Sequence, residues 1–293
     1  MASRGDGMTP AWQQAEALTV PLPFLPYAGP EDLARRGLTG PGTTARGVVA
    51  PRRHRFRWIK RLCATVMALV TLSVITITGL LLVLPGVGDA PVLARAIDRA
   101  HHAAYPGPAL PPRVTAALVA TEDHRFYAEP GIDPAALGRE LLGRLSGRPG
   151  QGGATLDQQL ATMLYGPRRS GLLAEAKQIL LGVKLDLNYS KAQILQLYAD
   201  VAYFGHGYYG LAAASCGYFA ERPARLSWGQ AAMLAGLVQA PPVDDPLSDF
   251  ANARAREAHV LIRLINTGKL TRQQASRAYQ LPLHLTHGRT GRC

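Results

Sequence analysis

The sequence is poor in acidic residues. Asp and Glu total 20 against 32 Lys and Arg, which gives a formal net charge of +12. This balance favours an anionic partner: nucleic acid, anionic lipid or a phosphorylated substrate. Charge is densest before residue 62, where ten basic residues accompany four acidic ones. Phe56 and Trp58 lie among the basic residues there, a composition that in isolation would suit nucleic acid.

Cysteine is scarce as well. The three cysteines, Cys63, Cys216 and Cys293, form neither a disulfide framework nor a metal-ligand spacing. A bridge between Cys216 and Cys293 stays open, and two unpaired thiols are the favoured interpretation. The adjacent His101 and His102 are interpreted as a solvated pair. No metal site is therefore expected.

Charge is missing altogether from residues 62–84, which are dense in Leu, Val and Ile. This length suffices for a helix to cross a bilayer, and it exceeds the apolar core of a signal peptide. Basic residues flank only the N-terminal end, so the positive-inside rule predicts a cytoplasmic N-terminus. We therefore predict one transmembrane helix, with everything after Gly86 outside the cytoplasmic membrane and no nucleic-acid partner.

Two further regions are distinguished by their periodicity. Residues 1–61 have no sustained apolar period and begin with a segment rich in Gly, Pro and Thr, which predicts a disordered basic cytoplasmic tail. Residues 90–285 have a helical period, without period-two runs bounded by hairpin turns. The fold class is therefore predicted as all-α, with roughly eight to ten helices in this domain.

Helix termini can be located from the sequence. Asp133 precedes Pro134, the pattern of an N-cap with proline at the first helical position. Three capping boxes are predicted where a Ser or Thr is followed by Gln three positions later, at Ser190, Ser227 and Thr271. Gly268 fits a C-terminal cap.

Two adjacent carboxylates, Glu122 and Asp123, stand where an apolar helical run ends and aromatic and Pro-Gly residues begin. A carboxylate that is backed by apolar residues and faces a cleft can have its pKa raised until it serves as a general acid or base. A solvated helix C-terminus is the alternative interpretation. Glu122 is the candidate catalytic residue.

Five segments together resemble one known family. In chain order they are residues 122–126 (EDHRF), 152–159 (GGATLDQQ), 188–198 (NYSKAQILQLY), 203–210 (YFGHGYYG) and 232–241 (AMLAGLVQAP). This set is similar to the peptidoglycan glycosyltransferase domain of glycosyltransferase family 51, found in monofunctional transglycosylases and penicillin-binding proteins. The resemblance covers roughly residues 105–283. It implies a mostly α-helical, lysozyme-like fold with a membrane-embedded small lobe.

The resemblance also implies a reaction. Lipid II is polymerised outside the cytoplasmic membrane, with inversion and release of a polyprenyl diphosphate. Glu122 occupies the position of the general base, and Gln178 the position of a second family glutamate. The substrate-binding positions implied by the motifs and by the need for cations are Asp123, Arg125, Phe126, Thr155, Gln158, Gln159, Lys177 and Lys184, together with the pair Arg168 and Arg169.

The chain departs from the family pattern at several positions. Glutamine replaces the second glutamate at Gln178, and threonine replaces a lysine at Thr162. The other departures are Glu129 for histidine, Ala154 for serine, Asp200 for asparagine and a late arginine motif kept only in part from Arg256 to Leu261. Removing an electrostatic group from a diphosphate site costs on the order of a hundredfold or more in rate.

Three functions are compatible with these motifs. The first is a monofunctional, inverting glycosyltransferase, since no Ser-x-x-Lys of a transpeptidase occurs in the sequence. The second is an impaired family member that binds lipid-linked glycan or a cell-wall partner without turnover. The third is a lysozyme-like glycan-cleaving enzyme. The sequence lacks a second carboxylate placed as most cleaving enzymes require, but lytic enzymes with a single acid keep this alternative open. The expected partners are lipid II, the growing glycan strand, the membrane and other cell-wall synthesis proteins. No cofactor is assigned, with a divalent cation (Mg or Mn) left open.

Overall fold

The computed structural model describes residues 53–148, 153–166, 171–286 and 293. In these ranges it contains eleven α-helices, a short 3-10 turn at Pro223–Arg225 and no β-strand. The helices are α1 (Arg53–Val83), α2 (Ala90–Ala100), α3 (Pro112–Glu122), α4 (Pro134–Leu145), α5 (Leu156–Tyr165), α6 (Leu172–Asn188), α7 (Lys191–Val201), α8 (Leu211–Phe219), α9 (Trp228–Leu237), α10 (Phe250–Asn266) and α11 (Arg272–Gln280). The all-α prediction is confirmed.

The chain divides into two compact units, Met1–Ile75 and Thr76–Cys293. The described part of the first unit is helical from Arg53, nine residues before the predicted start of the membrane span at Leu62. Residues 53–61 of the predicted disordered tail are therefore helical, and the boundary of the span at residue 62 stays a prediction. Loss of charge marks where a membrane core can begin, whereas Arg and Lys are themselves good helix formers. Residues 1–52 of the predicted disordered tail lie outside the described residues.

Helix α1 has the properties of a membrane span. Its segment Trp58–Val83 has a mean hydropathy of 2.5, and none of it is buried in the protein. By length and composition it can cross a bilayer. Among the described residues it is the single helix with this property.

The second unit is built around α9. Every residue of α9 from Gly229 to Leu237 is buried, and the helix packs against α3 and α10. Small residues permit this close approach: a Cβ added to Gly236 would lie 3.1 Å from the Cβ of Arg256. A second group of packed helices is formed by α5, α6 and α7. Helix α3 contributes its end to the boundary between these groups.

The predicted helix termini are confirmed. Asp133 accepts a hydrogen bond from the Ala136 amide, and the three predicted capping boxes are formed at the starts of α7, α9 and α11. Gly268 follows α10 with a φ of +69°, a backbone conformation that favours glycine. These local signals act within one helical turn, which is why the sequence alone reveals them.

A disulfide joins Cys216 in α8 to Cys293, with a Cα–Cα distance of 5.4 Å. The favoured interpretation of two unpaired thiols is therefore wrong. The cysteines are 77 residues apart, and only the fold shows that they meet. The C-terminal segment reaches α8 through Thr286, whose amide donates to the Tyr218 carbonyl oxygen at 2.7 Å. Cys63 is free and exposed.

Candidate active site

The candidate base Glu122 is the last residue of α3. Val114, Ala117 and Leu118 on this helix are buried in the core, and Asp123 leaves the helix with a φ of −157°. Helix C-terminal carbonyl groups need outside donors. The Nε of Arg263 on α10 supplies one, because it donates to the Ala120 carbonyl oxygen at 2.9 Å. The fold thus fixes the end of α3.

Glu122 receives a hydrogen bond from α5. The Nε2 of Gln159 donates to Glu122 Oε2 at 2.9 Å and lies 3.4 Å from the Ala154 carbonyl oxygen. The hydroxyl of Tyr198 on α7 donates to Gln159 Oε1 at 2.9 Å. Three helices therefore meet at this carboxylate, and the predicted site residues Glu122 and Gln159 are in direct contact.

Burial raises the pKa of Glu122, and the negative charge of Asp123 adds to this. The Gln159 hydrogen bond and the positive charge of Arg256 act in the opposite direction. Arg256 lies on α10. Its Nε donates to the Gly236 carbonyl oxygen at 3.2 Å and forms an ion pair with Asp244 at 3.4 Å. A carboxylate with a raised pKa is suited to accept a proton near neutral pH.

Asp123 and Phe126, both predicted to bind substrate, are buried. Oδ2 of Asp123 accepts a hydrogen bond at 3.3 Å from the amide of Leu156, the first residue of α5. The Phe126 ring is covered by Lys191 Nζ at 4.3 Å from its centroid. Asp123 thus joins the end of α3 to the start of α5, and Phe126 packs against the first residue of α7. Their substrate-binding roles stay predictions.

Thr155 and Gln158 lie at the N-terminus of α5. Thr155 is buried and caps the helix, since its Oγ1 accepts from the Gln158 amide and lies 3.1 Å from the Gly131 carbonyl oxygen. The side chain of Gln158 packs beside Gly182 of α6, where an added Cβ would lie 3.0 Å from Gln158 Cγ. Both residues position α5, which carries Gln159 to the carboxylate.

Gln178 on α6 pairs with Thr162 on α5. The Thr162 hydroxyl contacts Gln178 Oε1 and also the Gln158 carbonyl oxygen, the latter at 2.9 Å. Gln159 and Thr162 are three positions apart, so they lie on the same side of α5. Helix α5 thus presents the partner of Glu122 and the partner of Gln178 on one face. At Gln178 this face is uncharged.

The predicted cationic site residues are dispersed. Arg125 forms an ion pair with the buried Glu129 at 2.6 Å and another with Asp133 at 3.5 Å. Lys177 is exposed on α6. Arg168 and Arg169 lie outside the described residues.

Lys184 does not join the other cations. Its Nζ donates to the carbonyl oxygens of Leu84 at 2.7 Å and Pro85 at 3.0 Å, just beyond the end of α1. The hydroxyl groups of Tyr165 and Tyr189 also donate to this segment, at the Val87 carbonyl oxygen. A positive charge is favourable near a helix C-terminus. In this structure Lys184 anchors the segment that follows α1, and its substrate-binding role stays a prediction.

Two residues of the site were not predicted. Tyr198 has the spacing of a core residue, and its fully buried ring fits that interpretation, but no sequence signal reveals where its hydroxyl group points. Arg256 belongs to the partly kept late arginine motif, and its position opposite Glu122 depends on the packing of α10 against α9 and α3.

In the described ranges, no group of three or more His, Cys, Asp or Glu side chains could hold a metal ion. Gln178 stands where the resemblance places a carboxylate, and its oxygen already contacts Thr162. A neutral amide is a poor ligand for a hard divalent cation compared with a carboxylate. The residues at this position therefore do not fit such a cation, and no reaction step below depends on one.

A family model described as Transglycosylase matches residues 91–265. Over 176 residues the chain is 35% identical to a transglycosylase of Cupriavidus necator, covering 60% of this chain and 76% of that protein. It is 35% identical to penicillin-binding protein 1A of Escherichia coli, covering 56% of this chain and 20% of the other. For penicillin-binding protein 1A of Aquifex aeolicus the identity is 38%, with 59% and 24% covered.

The chain thus spans about three quarters of the first relative and a quarter or less of the two penicillin-binding proteins. A solved structure, that of penicillin-binding protein 1A from Haemophilus influenzae, aligns with a TM-score of 0.33 and 24% identity. This alignment covers 46% of this chain and 17% of the other.

Proposed function

We propose, because this chain belongs to the transglycosylase family (glycosyltransferase family 51), that it polymerises lipid II into β-1,4 glycan strands. The observation that carries this proposal is the largely buried carboxylate of Glu122, which ends α3 and accepts a hydrogen bond from Gln159. It is the acid at the family's base position, and its environment suits proton abstraction near neutral pH.

In the proposed reaction, Glu122 accepts the proton of the acceptor sugar's 4-hydroxyl group. The freed oxygen forms a bond to the anomeric carbon of the donor chain, and the bond from that carbon to the polyprenyl diphosphate breaks. The configuration at this carbon is inverted, and the diphosphate leaves with the bonding electron pair. The Gln159 hydrogen bond and the Arg256 charge favour the ionised form of Glu122, against the larger opposing effect of burial.

The leaving diphosphate needs cations or oriented donors near it. Lys177 is exposed and precedes Gln178 on α6, so we assign it this role. Arg125, which is 43% exposed beside its two ion pairs, is a second candidate. Thr162 and Gln178 supply hydrogen-bonding groups without charge. We therefore expect weaker stabilisation of the leaving group than a site with an additional lysine would provide.

The proposed location is the cytoplasmic membrane, with α1 crossing once, the N-terminus in the cytoplasm and the second unit outside. The apolar composition of α1 supports a membrane span, and the basic residues before it support this orientation. The Cys216–Cys293 disulfide agrees with an oxidising compartment outside the cytoplasm. There the site can reach a lipid-linked substrate.

A second candidate function rests on the contact between Thr162 and Gln178. In this alternative, the uncharged pair leaves a cleft that binds lipid-linked glycan or a cell-wall partner but does not turn over. The Thr162 hydroxyl contacts Gln178 Oε1 and the Gln158 carbonyl oxygen, and neither side chain of the pair carries a charge that would stabilise a leaving diphosphate. The two functions differ in one measurable outcome, the appearance of glycan strands.

Replacing Gln178 by Glu while also replacing Thr162 by Lys should raise polymerisation about tenfold or more, because the pair would then supply a carboxylate and a cation to the diphosphate region. Gln178→Glu alone should give a smaller gain, since the new charge would face a hydroxyl rather than an ammonium group. The measurement is strand synthesis by the single and double variants. Equal activity of the single and double variants would show that a lysine at position 162 adds nothing to the reaction, which would contradict this expectation.

The proposed function is tested with labelled lipid II and the detergent-solubilised full-length protein, with and without a divalent cation. Strands of increasing length would establish the polymerase. Measurable lipid II binding without strands would instead establish the binding function. Release of short fragments from preformed glycan would support neither, and would point to the cleaving enzyme.

A further inference from the structure

The amide group of Gln159 has two different ends, and its orientation decides whether it helps or opposes the base. With nitrogen toward Glu122, the amide donates a hydrogen bond to the carboxylate. With oxygen toward Glu122, two acceptors would face each other, which is costly for buried polar groups. The observed contact is of the first kind, Nε2 to Oε2 at 2.9 Å.

The neighbours of the amide determine this orientation. Glu122 as a carboxylate and the Ala154 carbonyl can only accept, so both favour the nitrogen end of the amide. On the other side, the Tyr198 hydroxyl donates to Gln159 Oε1 at 2.9 Å. Burial raises the pKa of Tyr198 well above its ordinary value, so the phenol keeps its proton and remains a donor.

We propose that Tyr198 is a positioning residue for the base: its hydroxyl group holds the Gln159 amide with the nitrogen toward Glu122. Tyr198 does not touch the reacting atoms in this assignment. It acts through Gln159 and is itself held in place by its fully buried ring on α7. The inference rests on the proposed function, because it deepens the role of the same site.

Two charged groups also act on Glu122. Asp123 raises the pKa of Glu122, and Arg256 on α10 lowers it. Helix α9, which packs against α3, has no titratable side chain. Arg256 acts through charge alone and does not fix the direction of the amide. The Tyr198 hydroxyl is therefore the group whose removal changes the hydrogen bond to Glu122 without changing any charge.

Replacing Tyr198 by Phe tests the proposal. The amide loses the donor on its oxygen side, so its hydrogen bond to Glu122 weakens. A lost hydrogen bond to the charged form raises the pKa of a carboxyl group. Because the base works only when ionised, the acidic limb of the pH–kcat profile should move to higher pH by roughly one unit. At a pH on that limb, kcat should therefore fall by about tenfold. KM for lipid II should change little, and higher pH should restore the rate.

The matched control is Tyr218→Phe. Tyr218 is also fully buried, and its hydroxyl group contacts the Phe204 carbonyl oxygen at 3.0 Å and Asp245 Oδ1 at 3.3 Å, neither of which belongs to the contacts of Glu122, Gln159 and Tyr198. This variant should lose stability without moving the acidic limb. A second variant, Gln159→Leu, should move the acidic limb in the same direction. Adding Tyr198→Phe to Gln159→Leu should move the limb no further, because the amide through which Tyr198 acts is already absent.

A second readout separates this inference from the proposed function. The carboxyl carbon of Glu122 is titrated by NMR in the solubilised full chain and assigned with Glu122→Gln. A higher Glu122 pKa in Tyr198→Phe supports the inference even if no strands form. An unchanged Glu122 pKa, with strand synthesis intact, overturns the inference and leaves the proposed function standing.

Discussion

Replacing Glu122 by Gln is expected to reduce glycan synthesis by about a hundredfold to ten-thousandfold, the usual contribution of a positioned general base. Glutamine has the same shape and can still accept a hydrogen bond from Gln159, so the fold and lipid II binding should be kept. The amide cannot take the proton of the acceptor hydroxyl group. Strand synthesis and lipid II binding, measured on the same preparation, separate the two effects.

The control for this substitution is Glu175→Gln, an exposed acid on α6 that pairs with Arg144 at 2.8 Å. It removes the same charge from a helix of the same domain but not from the end of α3. Its synthesis rate should stay within about twofold of the wild-type rate, as for most surface substitutions. Strand synthesis that persists in Glu122→Gln would assign the base to another residue.

Loss of the disulfide is expected to have the largest effect on stability. The bridge closes a loop of 77 residues, and the chain-entropy estimate for such a loop is roughly 4 kcal/mol. Cys293→Ser should therefore lower the Tm of the detergent-solubilised protein by about 10 °C. The physical cause is a larger conformational freedom of the unfolded chain when the C-terminal segment is released from α8.

Cys63→Ser is the matched control, because Cys63 is free and exposed in α1. Its thermal unfolding should be unchanged. A reducing agent should lower the Tm of the wild type to that of Cys293→Ser and leave Cys293→Ser itself unaffected. A wild-type Tm that does not respond to the reductant would contradict the stabilising role of the bridge.

The features that sequence predicted well depend on neighbours within one helical turn. Ser190 and Ser227 begin helices where their capping boxes indicated. Glu122 is the last residue of α3 because the apolar residues of the helix stop there and the backbone leaves the helical conformation at Asp123. Such signals need no knowledge of the tertiary fold. They were sufficient for the fold class and for the position of Glu122 at the end of α3.

The features that sequence missed depend on contacts between distant segments. The ammonium group of Lys184 contacts the Leu84 and Pro85 carbonyl oxygens, about one hundred positions earlier in the chain, and no sequence signal indicates this contact. Tyr198 resembles a core residue until its hydroxyl group is followed to Gln159. Each of these side chains could make more than one kind of contact, and the packing of α5, α6 and α7 determines which contact it makes.

The segment at residues 84–87 lies in the same unit as the site. Lys184, Tyr165 and Tyr189 donate hydrogen bonds to the carbonyl oxygens of this segment, and these side chains belong to α5, to α6 and to the residue that follows α6. The helices that carry Gln159 and Gln178 are therefore held in part by backbone acceptors from a much earlier segment of the chain. Loss of order in residues 84–87 would remove hydrogen-bond acceptors from both helices at once, without a change in any residue of the site.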